Sequence, residues 1–146
     1  MGARYTISRT GTAISTTNDY LTLTVPATRA VKIWEVRVAG GGTASAAAEL
    51  LLSRSTGGAT GGGAITPTPL ATLSPAAGTT TATTWTTQPT IGVTVRRIPF
   101  NANGAINNFI FIPGMEIDVP PSGQISIRGG LGASLAALEI VIEEVG

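Results

Sequence analysis

Between residues 108 and 145, apolar and polar side chains alternate, and each run stops at proline or glycine. Phe109 and Phe111 alternate with Ile110 and Ile112 as far as Pro113-Gly114. Met115, Ile117 and Val119 alternate with Glu116 and Asp118 and end at Pro120-Pro121-Ser122-Gly123. Ile125 and Ile127 are spaced by Gln124, Ser126 and Arg128 before Gly129-Gly130. Leu138, Ile140 and Ile142 then alternate with Glu139, Val141 and Glu143. A period of two between turn residues is the signature of a half-buried strand. Four such strands in a row present an apolar face that a second sheet must cover. The expectation is an all-β chain folded as an antiparallel β-sandwich.

The same pattern continues upstream. Leu21, Leu23 and Val25 alternate with Tyr20, Thr22 and Thr24 and stop at Pro26. Residues 28–39 form the longest β-branched run, with Trp34, Val36 and Val38 on one face and Ile33, Glu35 and Arg37 on the other. Apolar groups on both faces predict a central strand, Trp34 is expected in the core, and Glu35 and Arg37 are placed for a cross-strand charge pair. Residues 43–53 contain the helix formers Ala46 to Leu51, but Leu50 and Leu52 also alternate, and a strand from Ala47 to Ser53 is expected. Leu131, Leu135, Leu138, Ile142 and Val145 likewise fall at helical spacing, and Ile140-Val141-Ile142 decides for strand. Ile91, Val93 and Val95 add another strand, and Asn101-Ala102-Asn103-Gly104 carries an Asn-Gly turn signal. The total of about eight strands is consistent with a jelly roll or a related sandwich. Residues 1–18 read as an N-terminal arm, in which Tyr5 to Ser8 can form a short edge strand; residues 19–146 read as a single domain. Within it, residues 54–90 form a long Gly/Thr/Pro-rich loop holding Leu70, Leu73 and Trp85. Apolar groups of that size are hard to leave in water, so the loop is expected to lie ordered, along a neighbouring subunit.

Composition narrows the function. The 146 residues contain neither cysteine nor histidine. That removes disulfides, thiolate metal sites, Ser-His-Asp arrangements and imidazole-based metal clusters. No metal, no cofactor and no enzymatic activity are expected. A net charge of +1 offers no basic field for nucleic acid, and no apolar run is long enough to span a membrane. Met1-Gly2-Ala3-Arg4-Tyr5-Thr6 lacks the apolar segment of a secretory signal. It does fit the loose M-G-x-x-x-[ST] acylation pattern, in which Gly2 is more simply a permissive residue. Charged residues make up 12% of the chain, against about a quarter in a typical soluble domain. Lys32 is its only lysine, the other cations being arginines, which suit fixed ion pairs and interfaces. Both features predict a surface that partly faces other protein; the competing account is a surface solubilised by threonine hydroxyls and backbone.

No constellation of residues carries chemistry. Gly57, Gly58 and Gly61 to Gly63 lack the lysine of a phosphate loop, and Gly130-Leu131-Gly132 lacks a third glycine. Glu116 and Asp118 leave one strand face, as a Ca²⁺ site or a glycosidase pair would require, but read as a solvated outer face. Glu139 and Glu143 share a face from which Glu144 points away. Alternation puts Arg97 on the side of Val93 and Val95 and Arg96 on the opposite side, so Arg97 must either reach past the rim or form an ion pair. The expected subunit or capsid contacts are Tyr5, Ile7, Leu70, Leu73, Trp85, Arg96 and Arg97, with Trp85 as interface anchor.

Trp85-Thr86-Thr87-Gln88-Pro89-Thr90, Val95-Arg96-Arg97, Phe111 to Ile117 and Ile140 to Glu144 resemble segments of small β-rich tailed-bacteriophage virion proteins, among them capsid decoration (cement) proteins. The resemblance covers roughly residues 34–144, and the N-terminal arm takes no part in it. It implies a jelly-roll-like subunit, made in the host cytoplasm, that forms homotrimers on the capsid surface and clamps the major capsid protein without catalysis. A carbohydrate- or receptor-binding module of a phage tail fibre is the alternative, with Trp85 and Tyr20 as stacking candidates.

Overall fold

The computed structural model describes residues 2–146, Ala105 by its backbone only. Met1, the first position of the acylation pattern, lies outside the described residues. Thirteen strands form: β1 (Ala3–Ala13), β2 (Leu21–Thr24), β3 (Ala30–Gly41), β4 (Ala47–Thr56), β5 (Ala59–Gly62), β6 (Thr68–Pro69), β7 (Thr80–Ala82), β8 (Thr84–Thr87), β9 (Thr90–Asn101), β10 (Asn103–Ile110), β11 (Ile117–Val119), β12 (Gln124–Leu131) and β13 (Leu135–Val145). Every pairing is antiparallel. The first sheet runs β10-β3-β13-β1-β6, with β11 also on β3; the second runs β7-β2-β12-β4-β9. The chain alternates between the sheets, β1 to β4 falling in the first, second, first and second, and β12 and β13 in the second and first.

This is the β-sandwich that the alternation predicts, and residues 43–53 and 131–145 are strand rather than helix. Tyr5, Ile7, Ile33, Val36, Val38, Leu138, Ile140 and Ile142 of the first sheet are buried. They meet Leu21, Leu23, Leu50, Leu52, Ile98, Ile125 and Ile127 of the second. Each such side chain contributes about 1.5–3 kcal/mol on burial.

Three features depart from expectation. Residues 3–13 are not an arm but a full strand between β13 and β6, and the buried Ile14 follows it. Tyr5 and Ile7 face the core, which gives this segment its place. Trp34 is only half-buried and lies outside the core. Val141 pairs with Glu35 and Ile142 with Ile33, so Trp34 is the extra residue of a β-bulge. The bulge reverses the alternation, leaving Ile33, Val36 and Val38 all inward.

Residues 54–90 are ordered on this same subunit. They form the β5–β8 hairpin, and β6 and β7 extend the first and second sheets beyond β1 and β2. The connection between β5 and β7 closes that side of the sandwich, the Ile65 amide donating to Thr81 Oγ1 at 2.6 Å and Tyr5 to the Pro75 carbonyl at 3.0 Å. On the other side β9 ends the second sheet and β10 ends the first; they meet at the Ala102 corner, where Asn107 donates to the Pro99 carbonyl at 2.5 Å, and among the described residues no strand fills the gap beyond it.

Candidate functional site

A row of hydroxyls, Thr22–Ser126–Ser53–Thr94, crosses the second sheet on the face away from the core. Thr22 and Ser126 are 0% exposed because the β5–β8 hairpin lies over them. Asp19, just before β2, accepts hydrogen bonds from Thr22 Oγ1 and Ser126 Oγ, both at 2.5 Å, and pairs with Arg128. The Trp85 indole donates to Thr22 Oγ1 at 2.9 Å, the Asp19 amide to Gln88 Oε1 at 2.9 Å, and Arg128 to the Pro89 carbonyl at 2.9 Å. This buried carboxylate thus takes three donors, all from its own chain. With no imidazole to take a proton from Ser126, this network fastens the hairpin and leaves no open position for a substrate.

Trp85 is thus committed within its own subunit. A Cβ on Gly58 would come within 2.8 Å of its ring, and one on Gly61 within 3.1 Å. Glycines next to Trp85 in space are what let the ring lie flat on the hairpin. Tyr20, the other stacking candidate, is 2% exposed and donates to the Ala136 carbonyl at 2.6 Å. These two rings do not form an exposed sugar platform.

The remaining expected contact residues divide. Tyr5 and Ile7 are buried in the core, Tyr5 reaching the Pro75 carbonyl at 3.0 Å, and neither is available to a partner. Leu70 and Leu73 stand in water at 57% and 97% exposure, on the closed side just past β6. Arg97 points outward and pairs with Glu49 at 2.9 Å. Arg96, not Arg97, takes the core-facing direction. The ladder shifts between Leu52–Arg96 and Ser53–Thr94, so a bulge at Val95 inverts the alternation there too.

Seven charged side chains share the outer face of the first sheet: Arg4, Lys32, Glu35, Arg37, Asp118, Glu139 and Glu143. Asp118, Lys32, Glu143 and Arg4 sit in one cross-strand row of alternating sign. Glu35 and Arg37 do form the expected pair, at 3.4 Å, and Glu139 lies 3.8 Å from Arg37. Glu143 accepts from the Gly2 amide at 2.9 Å and the Trp34 indole at 2.8 Å, while Arg4 covers that ring at 4.8 Å. Glu144 turns to the other face, accepting from the Thr79 amide at 2.6 Å and from Arg29. Burial alone would raise the pKa of both carboxyls. The Gly2 amide, Trp34 and Arg4 hold Glu143 below the ordinary value, and Thr79, Gly78 and Arg29 do the same for Glu144. Lys32, donating at 2.6 Å, with help from the backbone, brings Glu116 from 4.5 down to about 2.

Because these three carboxyls release protons more readily folded than unfolded, their contribution is present above pH 4.5 and disappears as the pH falls toward 2. Urea midpoints measured across that window are expected to drop steadily. The variants Glu116→Gln, Glu143→Gln and Glu144→Gln should each flatten the slope; an unchanged slope in all three would refute the assignment.

Along the open side, the exposed apolar groups are Val93, Ile106, Ile110, Ile112 and Met115, at 54–72% exposure. Ile106 and Ile110 follow the outward faces of Ala39 and Glu35 across the ladder, and Phe109 follows the inward Val36. A long edge strand with apolar side chains on both faces is an unfinished surface. The sequence carried this signal in the Phe109-Ile110-Phe111-Ile112 run, whose two faces are both apolar. It carried no comparable signal for Asp19, Ser126 and Arg128, which look like ordinary polar strand residues. Among the described residues no helix is long and apolar enough to cross a membrane, and no three acidic side chains are placed to hold a metal ion. In comparisons with protein-family models, curated proteins and solved structures, nothing matches this chain.

Proposed function

We propose that the chain is a structural virion protein, without catalytic activity, that assembles as a homo-oligomer and binds and stabilises a phage capsid shell from its outer surface. The observation that carries this reading is the distribution of exposed apolar groups. One set, Val93, Ile106, Ile110, Ile112 and Met115, lines the open side; another, Leu70 and Leu73, projects from the closed side opposite, and Leu131 and Leu135 stand apart at the turn from β12 to β13. Two unlike patches on opposite sides suit a head-to-tail contact, and head-to-tail contacts that close make rings such as trimers. The strand order supports a jelly roll, since four principal strands in each sheet are reached by repeated crossing between sheets. The resemblance of residues 85–90 and 111–117 to decoration proteins supplies the capsid as partner. Binding the assembled shell and not its separated subunits would stabilise it by mass action.

Light scattering on the purified chain is expected to give a trimer mass. Ile110→Asp on one side and Leu73→Asp on the other should each weaken association by about a hundredfold, the loss of one buried aliphatic group plus a stranded charge. Co-sedimentation with mature capsids tests the second half. A wild-type chain that stays monomeric at high micromolar concentration, or a trimer indifferent to both substitutions, rules the assembly contact out.

A further inference from the structure

We infer that the mouth of the open side, between β9 and the edge formed by β10 and β11, receives a carboxylate carried on an extended segment of a different protein. Two rows of side chains cross the inner face of the second sheet. Leu21–Ile127–Leu52 ends at Arg96, and Leu23–Ile125 ends at Arg54. Apolar rows that finish in arginine at an unclosed rim place positive charge where the core meets solvent.

All eight acidic side chains lie within 4 Å of a cation of the same chain. Of the nine basic ones, Arg9, Arg54 and Arg96 have no carboxylate among the described residues. Arg9 is committed to Tyr20, covering its ring at 4.6 Å and donating to its carbonyl. Arg54 donates only to the Asp118 carbonyl, at 3.0 Å. Arg96 lies over the Phe111 ring at 5.5 Å, and its Nε is buried without an acceptor. In a further copy every acidic side chain already has a cation of its own within 4 Å, Asp118 and Glu139 most loosely at 3.7 and 3.8 Å, so a different protein is the better source of the acceptor.

The space suits a chain and not a lone ion. Arg96 stands at the common wall of two hollows of about 310 and 340 Å³. Arg54, Met115 and Ile117 line the first, and Arg97 and Phe109 the second. Glu116 and Asp118 also border the first hollow, but Lys32 engages both, at 2.6 and 3.7 Å. A carboxylate on Arg96 with apolar residues to either side fits this arrangement, and the apolar flanks favour a polypeptide over a nucleic acid. The inference deepens the capsid-partner reading, with the shell supplying the segment, yet its test needs no shell.

Short random peptides displayed on filamentous phage are selected on the immobilised full chain, and the enriched sequence is synthesised for calorimetry. Enriched peptides are expected to carry Asp or Glu between apolar residues. Binding should weaken about tenfold in Arg96→Gln, and by a similar factor when the peptide's own acid becomes its amide. The distant Arg37→Gln should bind as wild type. The amide peptide leaves the protein untouched, so the test stands even if Arg96→Gln folds poorly. Absence of enrichment, acid-free consensus peptides, or an oligonucleotide that binds through Arg96 in their place would overturn the inference. A monomer that ignores capsids yet selects acidic peptides would sink the assembly reading alone.

Discussion

Asp19→Ala is expected to destabilise the fold by about 3–5 kcal/mol, the range for breaking a buried charge pair by removing one member. The carboxylate side chain is 0% exposed, and Arg128 beside it is 16% exposed. Deletion leaves that guanidinium beneath the hairpin with only the Pro89 carbonyl, and takes the acceptor from Thr22 and Ser126. Asp19→Asn keeps one oxygen and should cost less, about 1–3 kcal/mol. Arg97→Ala, which breaks a surface pair with a 64% exposed arginine, should cost under about 1 kcal/mol. Urea midpoints at neutral pH read all three. If Asp19→Ala proves no worse than Arg97→Ala, the network does not hold the hairpin down.

Trp85→Ala is expected to cost about 2–4 kcal/mol, somewhat below the range for a fully buried tryptophan because this one is only partly buried. The distinguishing outcome is spatial. Its ring fills the space over Gly58 and Gly61, and its indole is the bond between the hairpin and β2. Amide hydrogen exchange should quicken in β5, β8 and the Thr22 row while β3 and β13 keep their protection, since only the cover opens. Gly58→Val should act in the same way, because φ of +96° already disfavours a side chain there and its Cβ would strike the ring at 2.8 Å. Uniform loss of protection throughout the sandwich would mean the hairpin is no separate cover.

The β5–β8 hairpin and the groups that fasten it are the part of the molecule least legible in the sequence. Alternation placed β2, β3, β4, β9, β12 and β13 because each buries one face and breaks at proline or glycine, a local matter written residue by residue. It misplaced Trp34 and the Arg96–Arg97 pair for one physical reason. A bulge adds a single residue to one strand, and what fixes its position is the partner strand, not the run that contains it. The 54–90 segment was harder still. Its glycines, prolines and threonines describe turns and hydroxyls without saying which sheet edge they will meet. Serine and threonine spaced as solvated strand residues turned out to be roofed over, so part of the low charge reflects a polar layer inside the subunit. Leu70 and Leu73 stood out by size and apolarity as contact residues, but the Phe109–Ile112 run read as an ordinary half-buried strand, because a period of two does not say whether a strand lies at a sheet edge.

Sealing one flank has a consequence for how copies can join. The added strand at the sealed border of the first sheet is two residues long and contains Pro69, which has no amide to offer. For the first sheet, continuous backbone pairing from molecule to molecule would need a receptive margin at each end, and here only β10 offers one of useful length. Addition through the first sheet therefore stops after a single step, which steers its apolar β10 edge toward finite assemblies and away from fibrils.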